Sequence, residues 1–398
     1  MTVRSLAAVA ATATALGLGS VLAATRSTAE ELKPCSELQH PRTDTNPSTW
    51  ALQRFALPRL QALATGAGQT VALIGMEVDA GNSQLSAATA PLLRVGKDPS
   101  PARTDCSGIG TFVAGLIAAR PDTAGTTPVA GLAPGVRLVP IALGDAPAKQ
   151  QMVPAPVQLA QAFDAALAAH ATVICVVTAA TEDSPDLKAA VRRALAADVV
   201  VVASGVPDTS AGQAPGRTFP TSYPEVLSVV GVDELDQPVT GSDHGTYTDL
   251  AGPATRITST GPVEVGYSGY SHIGLESSPT AGAAYVAATA ALVREAYPQD
   301  SALEVTTRIL ATADVAGGRQ WGMVDPFRAL TEVLTGHGDA ITERPQQVRP
   351  AAVPEGVGTR TRLQAVGTAT AAIGATAAAL AMTAAGRRGR RRRVAAQS

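Results

Sequence analysis

Five short apolar runs constrain this chain more than any other feature: residues 71–76 (VALIGM), 136–142 (VRLVPIA), 173–178 (VICVVT), 199–204 (VVVVAS) and 226–232 (VLSVVGV). A strand with one wet face alternates polar and apolar side chains, so runs that stay apolar at nearly every position predict strands covered on both faces. Between them lie residues 110–119, 158–170 and 187–197, each with helical spacing and length. Strand and helix in alternation predict an α/β fold with a mostly parallel central sheet and a helical layer on each side. Further helices are expected over 300–312 and 326–334. Hydrophobic residues make up 45% of the 398 positions and charged ones 16%, which excludes a disordered or disulfide-stapled mini-protein.

The two ends read differently from the body. Arg4 is followed by a charge-free stretch over 5–25 with small residues near Ala23, Ala24 and Ala29, the pattern of a secretory signal peptide over 1–29 or, as an alternative, of an uncleaved anchor. The cleavage point is open between Ala24 and Ala29. Residues 363–386 contain no ionisable group and are long enough to cross a bilayer at about 1.5 Å per residue. Their Ala, Thr and Gly content also suits a soluble helix. The arginines that follow, Arg387, Arg388, Arg390, Arg391, Arg392 and Arg393, favour the membrane reading, because cations just after an apolar span stay on the cytoplasmic side. The expected layout is a signal peptide (1–29), an extracytoplasmic domain (30–340), a Pro-containing linker (341–362), a transmembrane helix (363–386) and a basic tail (387–398). Of the 31 Lys and Arg residues, 25 precede the tail and face 33 Asp and Glu residues, so the body is acidic and unsuited to nucleic acid.

The cysteines are Cys35, Cys106 and Cys175. Cys175 lies within an apolar run and reads as a buried strand residue, whereas Cys35 and Cys106 stand in polar, loop-like surroundings and are expected to form a disulfide in an exported chain.

The segments GLAPGVRLVPI (131–141), FPTSYPEVLSVVGV (219–232) and TDLAGPATRI (248–257) resemble scaffold signatures of subtilisin-like serine proteases. DCSGIGTFVAGLIAA (105–119) and WGMVDPFRALTEVL (321–334) are similar to the mycosins, membrane-anchored subtilases associated with type VII secretion. The resemblance runs from about residue 30 to the C-terminus. It implies a subtilisin-like three-layer sandwich, with a partner among the extracytoplasmic parts of a type VII secretion membrane complex and the membrane itself reached through the C-terminal helix. A homo-oligomer is a further arrangement it allows.

The resemblance also says where catalytic groups belong. A subtilase uses a Ser nucleophile, a His base, an Asp that orients the His, and an Asn amide in the oxyanion hole. The matching positions here are Gly75 for the acid, Ile109 for the base, Thr280 for the nucleophile and Val206 for the oxyanion amide. Glycine has no carboxylate, isoleucine carries no proton, and valine donates no hydrogen bond. Thr280 keeps a hydroxyl, hindered by its β-methyl group and without a base. Losing a triad as a unit costs about 10⁶ in kcat, and losing one oxyanion amide costs roughly 3 kcal/mol.

Alternatives exist within the chain. A four-residue slip brings Asp79 into a V-D-x-G frame, His244 opens a second H-G-T triplet, and Ser277 and Ser278 flank the nucleophile position, where serines often cap a helix. Asp79 stands on the order of 10 Å past the strand end, and no Ala-rich helix follows His244. Asp233, Glu234 and Asp236 read as a solvated turn, no cluster has metal-ligand spacing, and Gly108 and Gly110 form no phosphate cradle, so no metal or cofactor is expected. The expected function is that of a pseudoprotease with a structural or regulatory role. The alternatives are a cleft that captures extended peptides without cutting them, or a rearranged hydrolase using Thr280 or Ser277 with His244 and Asp243 or Asp79.

Overall fold

The computed structural model describes residues 50–96, 105–123, 126–143, 154–204, 217–242, 244–263, 271–315 and 320–334. Two short helices, α1 (Trp50–Arg54) and α2 (Leu57–Gln61), lead into β1 (Thr70–Gly75) and β2 (Leu93–Val95). The chain continues through α3 (Ile109–Ala118), β3 (Arg137–Leu143), α4 (Pro156–Ala168), β4 (Val173–Val176), α5 (Pro185–Ala196), β5 (Val200–Ala203) and β6 (Leu227–Val232). It then forms β7 (Leu250–Pro253), β8 (Thr255–Thr260), β9 (His272–Ser277), α6 (Ala281–Ala296), α7 (Ala302–Thr312), β10 (Gly322–Met323) and α8 (Pro326–Thr331).

Eight strands form one sheet in the order β10-β7-β6-β5-β4-β1-β3-β2, and every neighbouring pair is parallel. All five apolar runs lie in this sheet. Their consecutive residues enter two different cores: Val71, Leu73, Val173, Cys175, Val200 and Val202 pack on one side, while Ala72, Ile74, Ile174, Val176, Val201 and Ala203 pack on the other. Alternation persists in the pleat and is hidden in the sequence because both faces are dry. The second side is covered by α4 and α5 through Leu159, Phe163, Leu187 and Val191. The first is covered by α3 and α6, with α7, α8 and the N-terminal helices behind them. The sandwich therefore has the three layers expected.

The helix α6 is the central beam. Thirteen of its 16 residues are buried, and Tyr285 meets Phe55 of the α1–α2 turn edge-on at 5.1 Å between ring centres. Truncating such a core side chain to Ala costs about 3–5 kcal/mol. The two-stranded antiparallel sheet β8–β9 lies outside the main sheet and packs on α3, where Ser259 and Thr260 donate hydroxyl bonds to the carbonyls of Phe112 (2.8 Å) and Thr111 (2.7 Å). Among the described residues no helix is long and apolar enough to cross a membrane, and the expected signal peptide, linker, transmembrane span and tail lie outside those residues.

Candidate functional site

Parallel α/β sheets present ligand sites beyond the carboxyl ends of their strands, and the residues singled out in the sequence gather at that edge. Gly75 is the last residue of β1, Ile109 the first of α3, and Thr280 stands directly before α6. Gly110, next to Ile109, touches the chain just beyond β1, since a Cβ placed there would lie 1.8 Å from the carbonyl oxygen of Glu77. Ser204, just past β5, donates its hydroxyl to the carbonyl of Pro279 at 3.2 Å, holding the segment that carries Thr280. Val206, two residues further on, lies outside the described residues.

Each of these positions is shaped by its backbone. Gly75 has φ +146°, where side chains are rarely tolerated, and a Cβ would stand 3.0 Å from Val177 Cγ2. The side chain of Ile109 is half-buried and packs against the larger core cluster. Thr280 is 4% exposed, makes no side-chain cap to α6, and has its hydroxyl 3.4 Å from that of Ser278, beyond a normal hydroxyl–hydroxyl bond. Ser278 is buried too and is tied through its backbone N–H to the Ala254 carbonyl at 2.7 Å. Neither serine caps α6 through its side chain; Ser277 is the exposed end of β9.

The alternative acid and base are committed elsewhere. Asp79 is buried, and its two carboxylate oxygens accept the backbone N–H groups of Gly81 and Val263, each at 2.8 Å, while its own N–H donates to Thr111 Oγ1 at 2.9 Å. It is a structural rivet between the loop after β1 and the end of β8. His244 is exposed on the loop between β6 and β7; its Nδ1 pairs with the Ser242 carbonyl at 3.0 Å and its ring meets Trp321. Among the described residues no hydrogen bond joins it to Thr280, Ser277 or Ser278. Asp243 lies outside the described residues. His272, on β9, pairs through Nε2 with Gln84 Oε1 at 2.7 Å, and burial lowers its pKa.

One buried acid escaped the reading of the sequence. Asp105 organises the start of α3: its carboxylate accepts bonds from the backbone N–H groups of Gly108 (2.9 Å) and Thr111 (2.7 Å) and from the Ser107 hydroxyl (2.8 Å). Burial raises its pKa and these bonds oppose the rise. The available signal was an acidic residue just ahead of a helix start. Among the described residues no group of three His, Cys, Asp or Glu side chains could hold a metal. Asp233 and Asp236 shape a turn, with Asp233 accepting from the N–H groups of Leu235 and Gln237, while Glu234 pairs with Arg256. Cys175 is a buried thiol whose pKa burial pushes up to about 12, and Cys35 lies outside the described residues.

Comparison with known proteins agrees with this architecture. Mycosin-3 of Mycobacterium tuberculosis is 29% identical over 374 residues, covering 79% of each chain. A thermostable alkaline protease of Halalkalibacterium halodurans is 29% identical over 217 residues, which are 54% of this chain and 55% of that protein, so the match spans about half of that relative. Among solved structures, the MycP3 protease from the type VII (ESX-3) secretion system superposes with a TM-score of 0.59 at 27% identity, over 75% of this chain and 95% of that one. The subtilase family profile matches residues 66–348, and the chain belongs to the subtilase family, as a mycosin-like member.

Proposed function

We propose that this protein is a subtilase-fold pseudoprotease, anchored in the membrane with its domain outside the cytoplasm, and that it acts as a structural or regulatory component of a type VII secretion complex. One observation carries the loss of catalysis: the positions matching acid, base and nucleophile hold Gly75, Ile109 and the buried Thr280, and Asp79, the carboxylate a four-residue slip would offer, is spent on backbone N–H groups. Among the described residues no histidine or carboxylate hydrogen-bonds to Thr280, whose hydroxyl stands 3.4 Å from that of Ser278, and a threonine hydroxyl without a base yields almost no alkoxide at neutral pH. The secretion-system partner is supported by the name of the MycP3 neighbour. The signal peptide, the span over 363–386 and the Cys35–Cys106 disulfide belong to the same proposal and rest on the sequence patterns.

The test uses the full chain in detergent. A fluorophosphonate probe is expected to leave it unlabelled under conditions that label an active subtilase, while affinity purification from solubilised membranes recovers secretion-complex subunits in stoichiometric amounts. Labelling that disappears in Thr280→Ala or Ser277→Ala would establish the rearranged hydrolase instead. Recovery of extended peptides without those subunits would favour the peptide-capturing cleft.

A further inference from the structure

The inner face of α7 is spent on the fold. Val305 and Ile309 enter the larger core, and the guanidinium of Arg308, 4% exposed, stacks 3.9 Å from the ring centre of Tyr297 while its Nη1 donates to the Glu332 carbonyl at 3.0 Å. The first turn is closed by a capping box: Ser301 Oγ accepts the N–H of Glu304 at 3.3 Å, and the Glu304 carboxylate accepts the N–H of Ser301 at 2.7 Å. The helix is held at its start and along its inner side, so its outer face is a preformed surface.

That outer face reads the same in both directions. Leu303 and Leu310, 70% and 38% exposed, stand seven residues apart and so on one side of the helix, with the half-buried Thr306 and Thr307 midway between them. Reversing the chain exchanges the two leucines and the two threonines. No charged side chain interrupts the strip. Glu304 lies about 100° round the helix from Leu303 with its carboxylate turned to the Ser301 cap, Arg308 points inward, and Asp314, past the helix end, is about 11 Å along from the midpoint. A contact between two copies about a two-fold axis sets one patch against itself, so it needs a surface that matches its own reverse and opposes no like charges. The leucine–threonine strip meets both conditions. Two α7 helices crossing antiparallel at the threonines bring each Leu303 to Leu310 of the other copy, and the small threonines let the axes approach to the usual 8–10 Å or so.

We infer that the outer face of α7 is a homodimer contact, in which two copies of this chain pair their α7 helices antiparallel about a two-fold axis at Thr306 and Thr307. One face of an 11-residue helix is smaller than the roughly 800 Å² per partner of a standard interface, so the pairing is weak and depends on concentration. It does not depend on the absence of catalysis.

Cysteine substitutions in the full-length protein test it, with disulfide-linked dimer read on a non-reducing gel after mild oxidation. In this register the two copies of residue 307 come within the roughly 5–6 Å between Cα atoms that a disulfide spans, whereas each Leu303, or each Leu310, is about 10 Å from its own copy along the axis. Thr307→Cys should therefore give several-fold more dimer than Val157→Cys, an exposed position on α4. Leu303→Cys and Leu310→Cys should each give no more than that control when alone, and a mixture of the two should crosslink. Leu303→Asp, at a position 70% exposed, should abolish the excess when added to Thr307→Cys, with circular dichroism unchanged. Dimer from Thr307→Cys at the control level would overturn the proposal, as would self-crosslinking of Leu303→Cys equal to that of Thr307→Cys, or an excess that survives Leu303→Asp.

Discussion

The two ends of α6 have been treated differently. Its C-terminal end is dense with ionic ties: Glu295 accepts the backbone N–H groups of Thr65 (2.7 Å), Gly66 (2.5 Å) and Ala67 (3.1 Å), and Arg294 donates to the carbonyl and carboxylate of Asp198. Asp198 in turn accepts the N–H of Ala302 at the start of α7. Its N-terminal end, where a subtilase does its chemistry, has Thr280 without a cap bond, ahead of the buried residues Ala281, Gly282, Ala283 and Ala284. Polar groups at the first end hold elements together, and near the second the positions that match a subtilase's acid, base and nucleophile hold Gly75, Ile109 and Thr280. The pseudoprotease reading proposed above expects this contrast.

The comparison breaks if the cleft end proves loosely built. Gly110→Val puts side-chain atoms into the Glu77 carbonyl, a contact no rotamer relieves, so the largest effect is expected here: loss of more than about 3 kcal/mol and little folded protein by circular dichroism. A variant with ordinary stability would show that the close approach between β1 and α3 is dispensable. At the other end, Glu295→Ala strands three backbone donors, and a cost of about 2 kcal/mol is expected, read from the urea midpoint at unchanged slope. Thr280→Val sharpens the contrast, because the hydroxyl it removes has only the 3.4 Å contact with Ser278; stability should stay within about 0.5 kcal/mol.

These expectations separate what was legible in the sequence from what was not. The five β-branched runs announced their strands because burial on both faces leaves an unbroken apolar pattern. The strands β7, β8, β9 and β10 gave no such pattern: Leu250–Pro253 contains Gly and Pro, Thr255–Thr260 and His272–Ser277 carry polar side chains, and Gly322–Met323 is too short. At the site, the identities of Gly75, Ile109 and Thr280 were readable, and the conformations that fix them were not. Nothing in the letters shows that Gly75 has a positive φ or that Asp79 reaches the N–H of Val263, a partner 184 residues away. Long-range polar contacts are set by how the layers pack, and local patterns carry no record of them.

The smallest effect concerns His272. His272 lies on β9, outside the main sheet, and burial holds its imidazole below the ordinary value of 6.5. Between its folded value and 6.5 the unfolded chain binds more protons than the folded chain, so stability rises as pH climbs through that window and falls as pH drops through it. His272→Gln keeps an amide within reach of Gln84 Oε1 and removes the titration. The measurement is the difference in urea midpoint between wild type and variant from pH 5 to 7.5, which cancels the carboxylates common to both. The wild type should lose stability relative to the variant on the acid side. A difference independent of pH would place the His272 ring in water, and with it would loosen the packing of β8–β9 on α3 that the cleft end depends on.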